Sequence, residues 1–166
     1  MKTPTKILAA AILASGLLGF SSKVFAGATA TQTVTYEVQA INELSVSGAT
    51  ASLTVNAATA GSAPTAVSNS TTTYAITTNE ENRKITGALN TVMPDGVTLS
   101  VTLGAPTGAS STGKQTLTDE PADLVTGIST LNESGKSIQY ELAATSAAGV
   151  VASASKTVTL TITAGS

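Results

Sequence analysis

Side chains able to move a proton or grip a cation are few in this chain, and three places bring them near one another in a pattern that could do chemistry. Glu80 and Glu81 adjoin, with Asn79 and Asn82 on either side; Asp119 and Glu120 lie across Pro121 from Asp123; Ser153 precedes Lys156 at S-x-x-K spacing. Oxygen ligands gathered in one turn are the raw material of a calcium site, and a pair of carboxylates is what glycoside hydrolysis requires. The neighbouring residues argue against both. Arg83 and Lys84 follow the first cluster directly and would oppose a cation, and its spacing matches no calcium-loop signature, so it reads as a solvated turn. No feature of the sequence brings two carboxylates together across a cleft. The Ser153–Lys156 pair sits among small residues leading into a strand, whereas the catalytic version opens a helix and needs further motifs that are missing here. The chain has no His and no Cys. That excludes an imidazole base or ligand, a thiolate nucleophile, a disulfide framework and Cys-ligated metal. The expectation is a protein that is not an enzyme, with no catalytic, cofactor-binding or metal-ligating residue to nominate.

The elements that would carry any function must therefore be read from composition and period. Of 166 residues, 42% are hydrophobic, 11% charged and 3% aromatic, against a usual charged share of about 25%. Thr, Ser, Ala and Val dominate. Lys2 and Lys6 precede an apolar run from Ile7 to Phe20, which ends in Val24-Phe25-Ala26. This is the layout of a secretory signal peptide cleaved after Ala26. Ser15 and Gly16 interrupt the run, which falls short of the roughly 20 residues of a spanning helix. The mature domain is expected at 27–166, secreted or at the cell surface, periplasmic in transit if the envelope has two membranes, and without a membrane span. Loss of Lys2, Lys6 and Lys23 leaves five basic against ten acidic residues, a balance of −5. Such a surface argues against nucleic acid as a partner.

Through the mature chain, apolar residues alternate with Thr, Ser or Gln in short runs parted by Gly, Pro, Asn and Asp, which predicts strands. Val34, Tyr36, Val38 and Ala40 share one face of the first run, with Thr33, Thr35, Glu37 and Gln39 on the other. The phase breaks at Ile41-Asn42. Leu44 and Val46 resume it, and Ala51, Leu53 and Val55 form the next strand; residues 56–70 read as a long loop. Tyr74 and Ile76, the turn 79–82, and Ile85 with Leu89 predict a hairpin. After the Pro94-Asp95-Gly96 turn, Val97, Leu99, Val101 and Leu103 alternate without a fault. Residues 104–113 read as loop, then come a short strand near Leu117, apolar residues 124–128, a turn at 132–135, a strand from Ile138 to Ala144 and a last one at Val158, Leu160 and Ile162. The count is about nine strands, with helix scarce. Short strands with one apolar and one Thr-rich face predict an all-β fold, an antiparallel β-sandwich of immunoglobulin-like or jelly-roll type. The core would lack Phe and Trp and rest on aliphatics with Tyr36, Tyr74 and Tyr140, each expected to point inward. Asn69-Ser70-Thr71 fits the glycosylation acceptor pattern.

What remains is strand geometry. The Thr-rich runs at 31–40 and 156–163 could each pair within the domain or with the exposed edge of another subunit. The candidate inter-subunit strand comprises Thr33, Val34, Thr35, Tyr36, Glu37, Val38 and Ala40. The signal followed at once by residues 33–38, the central run 73–78 with 85–90, and the closing run 157–162 resemble the layout of secreted bacterial pilins and pilin-like fibre subunits of the cysteine-free kind. Usher-assembled and spore-coat-U-like pilins often carry a Cys pair, which is absent here. The resemblance implies an immunoglobulin-like sandwich completed by a donor strand from a neighbouring subunit. The expected function is a structural subunit of an extracellular filament, pilus or surface layer, a homo-oligomer or polymer through strand pairing. The alternative is a monomeric secreted binding module for polysaccharide or a cell-surface protein, using the loops at 56–70 and 104–114.

Overall fold

The computed structural model of the protein describes residues 27–165, and the proposed signal peptide lies outside them. The chain divides into two units, Met1–Glu37 and Val38–Ser166. Described residues of the first are exposed and form no strand. Every strand among the described residues belongs to the second: β1 (Asn42–Val46), β2 (Val67–Thr78), β3 (Arg83–Leu89), β4 (Val97–Leu103), β5 (Ser110–Ser111), β6 (Gln115–Thr116), β7 (Ala122–Ile128), β8 (Leu131–Ala144) and β9 (Val158–Ala164). One short 3-10 turn, Ser146–Ala148, is the only helical element among the described residues.

The strands form two sheets, ordered β1-β2-β8-β4-β6 and β5-β7-β3-β9. Every pairing is antiparallel. The all-β reading holds, and the arrangement is a β-sandwich. Its apolar faces meet in a core of Tyr74, Ile76, Ile85, Leu89, Leu99, Val101, Leu103, Leu117, Leu124, Val125, Ile128 and Ile138. Gly87 on β3 lies between its sheet neighbours β7 and β9, under two of their leucines. A Cβ there would stand 2.6 Å from Leu124 Cδ1 and 3.3 Å from Leu160 Cδ2, so only glycine lets both leucines pack over it.

Several local readings are corrected by the sheets. Residues 33–40 belong to no ladder, because a strand is a paired state and alternation alone supplies no partner. Ala51, Leu53 and Val55 do point inward on alternate residues, yet the segment around them is not laddered either. The expected hairpin across 79–82 is a crossover: β2 lies in one sheet and β3 in the other. Asn82 turns the chain there with φ 49°, a left-handed conformation that Asn tolerates. Residues 132–135 do not turn the chain but lie within β8, where Gly135 at φ 68° accompanies a register shift against β2 between Tyr74 and Ile76; the extra residue forms a bulge. β2 starts at Val67, inside the expected loop, and β5 falls inside the loop expected at 104–113. At the Pro94 turn, the Val97 amide donates to the Pro94 carbonyl at 3.0 Å, so Pro94 is the turn's first corner.

Candidate functional site

None of the three sequence clusters assembles into a reactive site. Glu80 accepts hydrogen bonds from Asn42 Nδ2 and Arg83, its ion-pair partner; these hold its carboxyl below the usual carboxylate range. Thr78 Oγ1 donates to Asn42 Oδ1 at 2.8 Å, so the cluster locks β1 to the β2–β3 crossover. Asp119 and Glu120 are exposed, and Asp123 pairs with Lys84 across the β3–β7 ladder at 3.0 Å. Lys156 Nζ donates to Thr91 Oγ1 at 2.6 Å and to the Val92 carbonyl at 2.7 Å. It therefore ties the start of β9 to the β3–β4 loop, and Ser153 is not among these partners. No group of three or more Asp and Glu residues able to hold a metal occurs among the described residues. No described helix is long and apolar enough to cross a membrane.

The tyrosines divide. Tyr74 is buried, and its hydroxyl donates to the Gly104 carbonyl at 2.7 Å. Burial, with the nearby Glu133 charge adding, pushes it up to about 12. Tyr140 is half-buried and raised in the same direction by burial. Tyr36, expected to point into the core, is 89% exposed, in line with Val34 at 73% and Val38 at 79%. The Asn69 side chain is engaged at both ends: Nδ2 donates to the Ser52 carbonyl at 3.1 Å, and Oδ1 accepts from the Thr71 amide and hydroxyl at 3.0 and 2.8 Å. Its place in the acceptor triplet thus coincides with a structural role, pinning the segment around Leu53 to β2.

The feature sequence reasoning missed is an open groove. Two of the four sheet edges, β5 and β6, are two-residue strands, short enough to template nothing. The other two, β1 and β9, flank the groove. Leu44 and Val46 of β1, with Ala51 and Leu53 beyond, form one wall; Val158 and Leu160 of β9 form the other; Thr72, Leu99 and Tyr140 form the floor. This cavity of about 370 Å³ leads past Leu53 and Lys156 into a second of about 710 Å³, lined by Val55, Met93, Val97, Leu142 and Val151 among others. Its apolar lining residues are underpacked: Leu44, Leu53, Tyr140, Leu142, Val158 and Leu160 are all only partly buried. Thr72 Oγ1 on the floor and Thr163 Oγ1 on β9 are buried without a hydrogen-bond partner, a state that costs about 1–3 kcal/mol per group.

The strand order shows why the groove exists. An immunoglobulin-type sandwich pairs strands A-B-E-D in one sheet and C-F-G in the other. Here β1-β2-β8-β4 follows the first order and β3-β9 supplies C and F, with β7 and β5 added beyond β3. No described segment takes the G position along the free side of β9. That side carries Val, Thr, Leu, Ile and Ala with no charge or Pro to discourage pairing. No family profile, characterised protein or solved structure matches the chain.

Proposed function

We propose that this protein is a structural subunit of an extracellular filament, pilus or surface layer, built by β-strand addition between copies, with residues 33–40 of one copy entering the β1/β9 groove of another. One observation carries the reading: an uncharged edge strand borders an unfilled apolar groove, while the same chain exposes a segment with the alternation needed to fill it. Val34, Tyr36 and Val38 match in number and period the half-covered Val158, Leu160 and Ile162. Seven paired residues span about 23 Å, the length of β9. Main-chain hydrogen bonds would supply affinity and the three apolar side chains specificity. The role is non-enzymatic and extracellular, and the partner is another copy of the chain.

Negative-stain electron microscopy of the mature protein at high concentration tests the reading. Filaments are expected from the intact chain, and compact single particles after deletion of residues 28–40. Filaments that survive the deletion overturn the strand assignment. Compact monomers from the intact chain at every concentration favour a binding module that works alone.

A further inference from the structure

No residue of β1 or β9 lines the larger of the two cavities, so strand addition does not account for it. Its volume of about 710 Å³ falls within the roughly 300–1,000 Å³ usual for small-molecule sites. We infer that this cavity is a binding site for a single-chain fatty acid, with the carboxylate on Lys156 and the acyl chain along Met93, Val97 and Leu142.

Charge points to the head group. Lys156 lines both cavities and is the one charged residue lining either. It is half-buried, and among the described residues the ion pairs all lie elsewhere. Its Nζ donates to two neutral acceptors, Thr91 Oγ1 and the Val92 carbonyl. An ammonium has three N–H donors, so one remains, together with a positive charge that those dipoles do not balance. An anion completes the shell, and a charge-assisted bond is about twice as strong as a neutral one. The rest of the lining decides what the anion is attached to. No aromatic residue lines the larger cavity, so a flat ring or a nucleobase finds no face to stack on. Val55, Met93, Val97 and Leu142 offer aliphatic surface instead, each of them half-buried. Met93 is unbranched and adapts its shape to a flexible chain. The segments 50–57 and 149–157, which supply two of the walls, belong to no ladder. They can part to admit an acyl chain without breaking a strand pairing.

The methionines supply a local reporter. Met1 falls in the proposed signal peptide, so Met93, on the cavity wall, is the only methionine of the mature chain. Mature protein labelled with carbon-13 at the methionine methyl therefore gives a single nuclear magnetic resonance signal from the site. Dilute protein is titrated with octanoate, decanoate and dodecanoate below micelle formation. The signal should shift saturably, with affinity rising about three- to fourfold per added CH₂. Decanol, the same chain without the charge, should bind at least about tenfold more weakly than decanoate. Lys156→Gln should abolish that preference, and Lys156→Arg should keep it. A Met93 signal unmoved by millimolar decanoate overturns the site. Equal affinity for decanoate and decanol in the unsubstituted protein, a comparison that no folding defect can blur, overturns the pairing with Lys156. A shift given by vesicles of phosphatidylglycerol and not by the monomeric acids overturns the ligand class and makes this pole a membrane contact. None of these outcomes bears on strand addition, which the dilute protein does not require.

Discussion

β4 and β9 are almost the same peptide, Val-Thr-Leu-Ser-Val-Thr-Leu against Val-Thr-Leu-Thr-Ile-Thr-Ala, and they end in different environments. Val101 and Leu103 of β4 are fully buried, whereas Val158, Leu160 and Ile162 of β9 remain half-covered. The difference is not in the residues. β4 lies between β8 and β6 with the other sheet across from it; β9 has β3 on one side only and the groove on the other. Burial is thus a property of position in the sheet order, and a strand of adequate hydrophobicity can be left at a sheet edge, half-covered.

The largest test of that comparison is a matched pair of truncations followed by urea unfolding of dilute, unassembled protein. Leu103→Ala should lower stability by about 2–5 kcal/mol, because it opens a cavity in a closed core. Leu160→Ala should lower it by only about 1 kcal/mol, since much of that side chain already faces the groove. Equal losses would mean that the groove side is packed as tightly as the core, and the contrast would fail.

An alkaline titration sharpens the same contrast through the tyrosines. Tyr74 is protonated in the folded state and raised to about 12, so its contribution is intact below the ordinary value near 10 and is lost as pH climbs from 10 to 12. The loss should reach about 2–3 kcal/mol, read as a falling unfolding midpoint that flattens in Tyr74→Phe. Tyr140, on the groove floor, is raised by burial alone. Filling the groove buries it further, so its ultraviolet ionisation should shift to higher pH on assembly; an unmoved Tyr140 would place the added strand elsewhere.

The smallest effect is at acid pH. Hydrogen bonds from Lys136 and Thr107 lower Glu133 from 4.5 to about 2. Its contribution is present above about 4.5 and is lost as pH falls from there towards 2. Glu133→Gln should remove a shallow part of the acid limb in thermal melts between those values. An unchanged acid limb would assign that slope to other carboxylates, Glu80 among them.

Period two made most of the strands legible, because one-sided burial forces alternation: Val97 to Leu103, Ile138 to Ala144 and Val158 to Ile162 stand where they were read. Local turn chemistry was less reliable. Asn79 to Asn82 has the residues of a hairpin turn, but whether two strands pair or part to separate sheets depends on what each meets afterwards. Asn132 to Gly135 looks like a turn and is a bulge for the same reason, since β2 continues alongside it. The run at 33–40 could be seen as β-capable, and its candidacy as a donated strand rested on that alternation. The groove that would receive it could not be seen, being made by residues far apart such as Leu44, Leu53, Tyr140 and Leu160.

By itself the sequence determined the chemistry and the period: no His or Cys, few charges, and alternating Val, Leu, Ile and Thr that can only be satisfied between two sheets. Strand order was decided by the tertiary structure alone. Hydrogen-bonded neighbours are chosen by the whole set of antiparallel pairings at once, and that choice covers β4 on both edges while leaving β9 with one edge free.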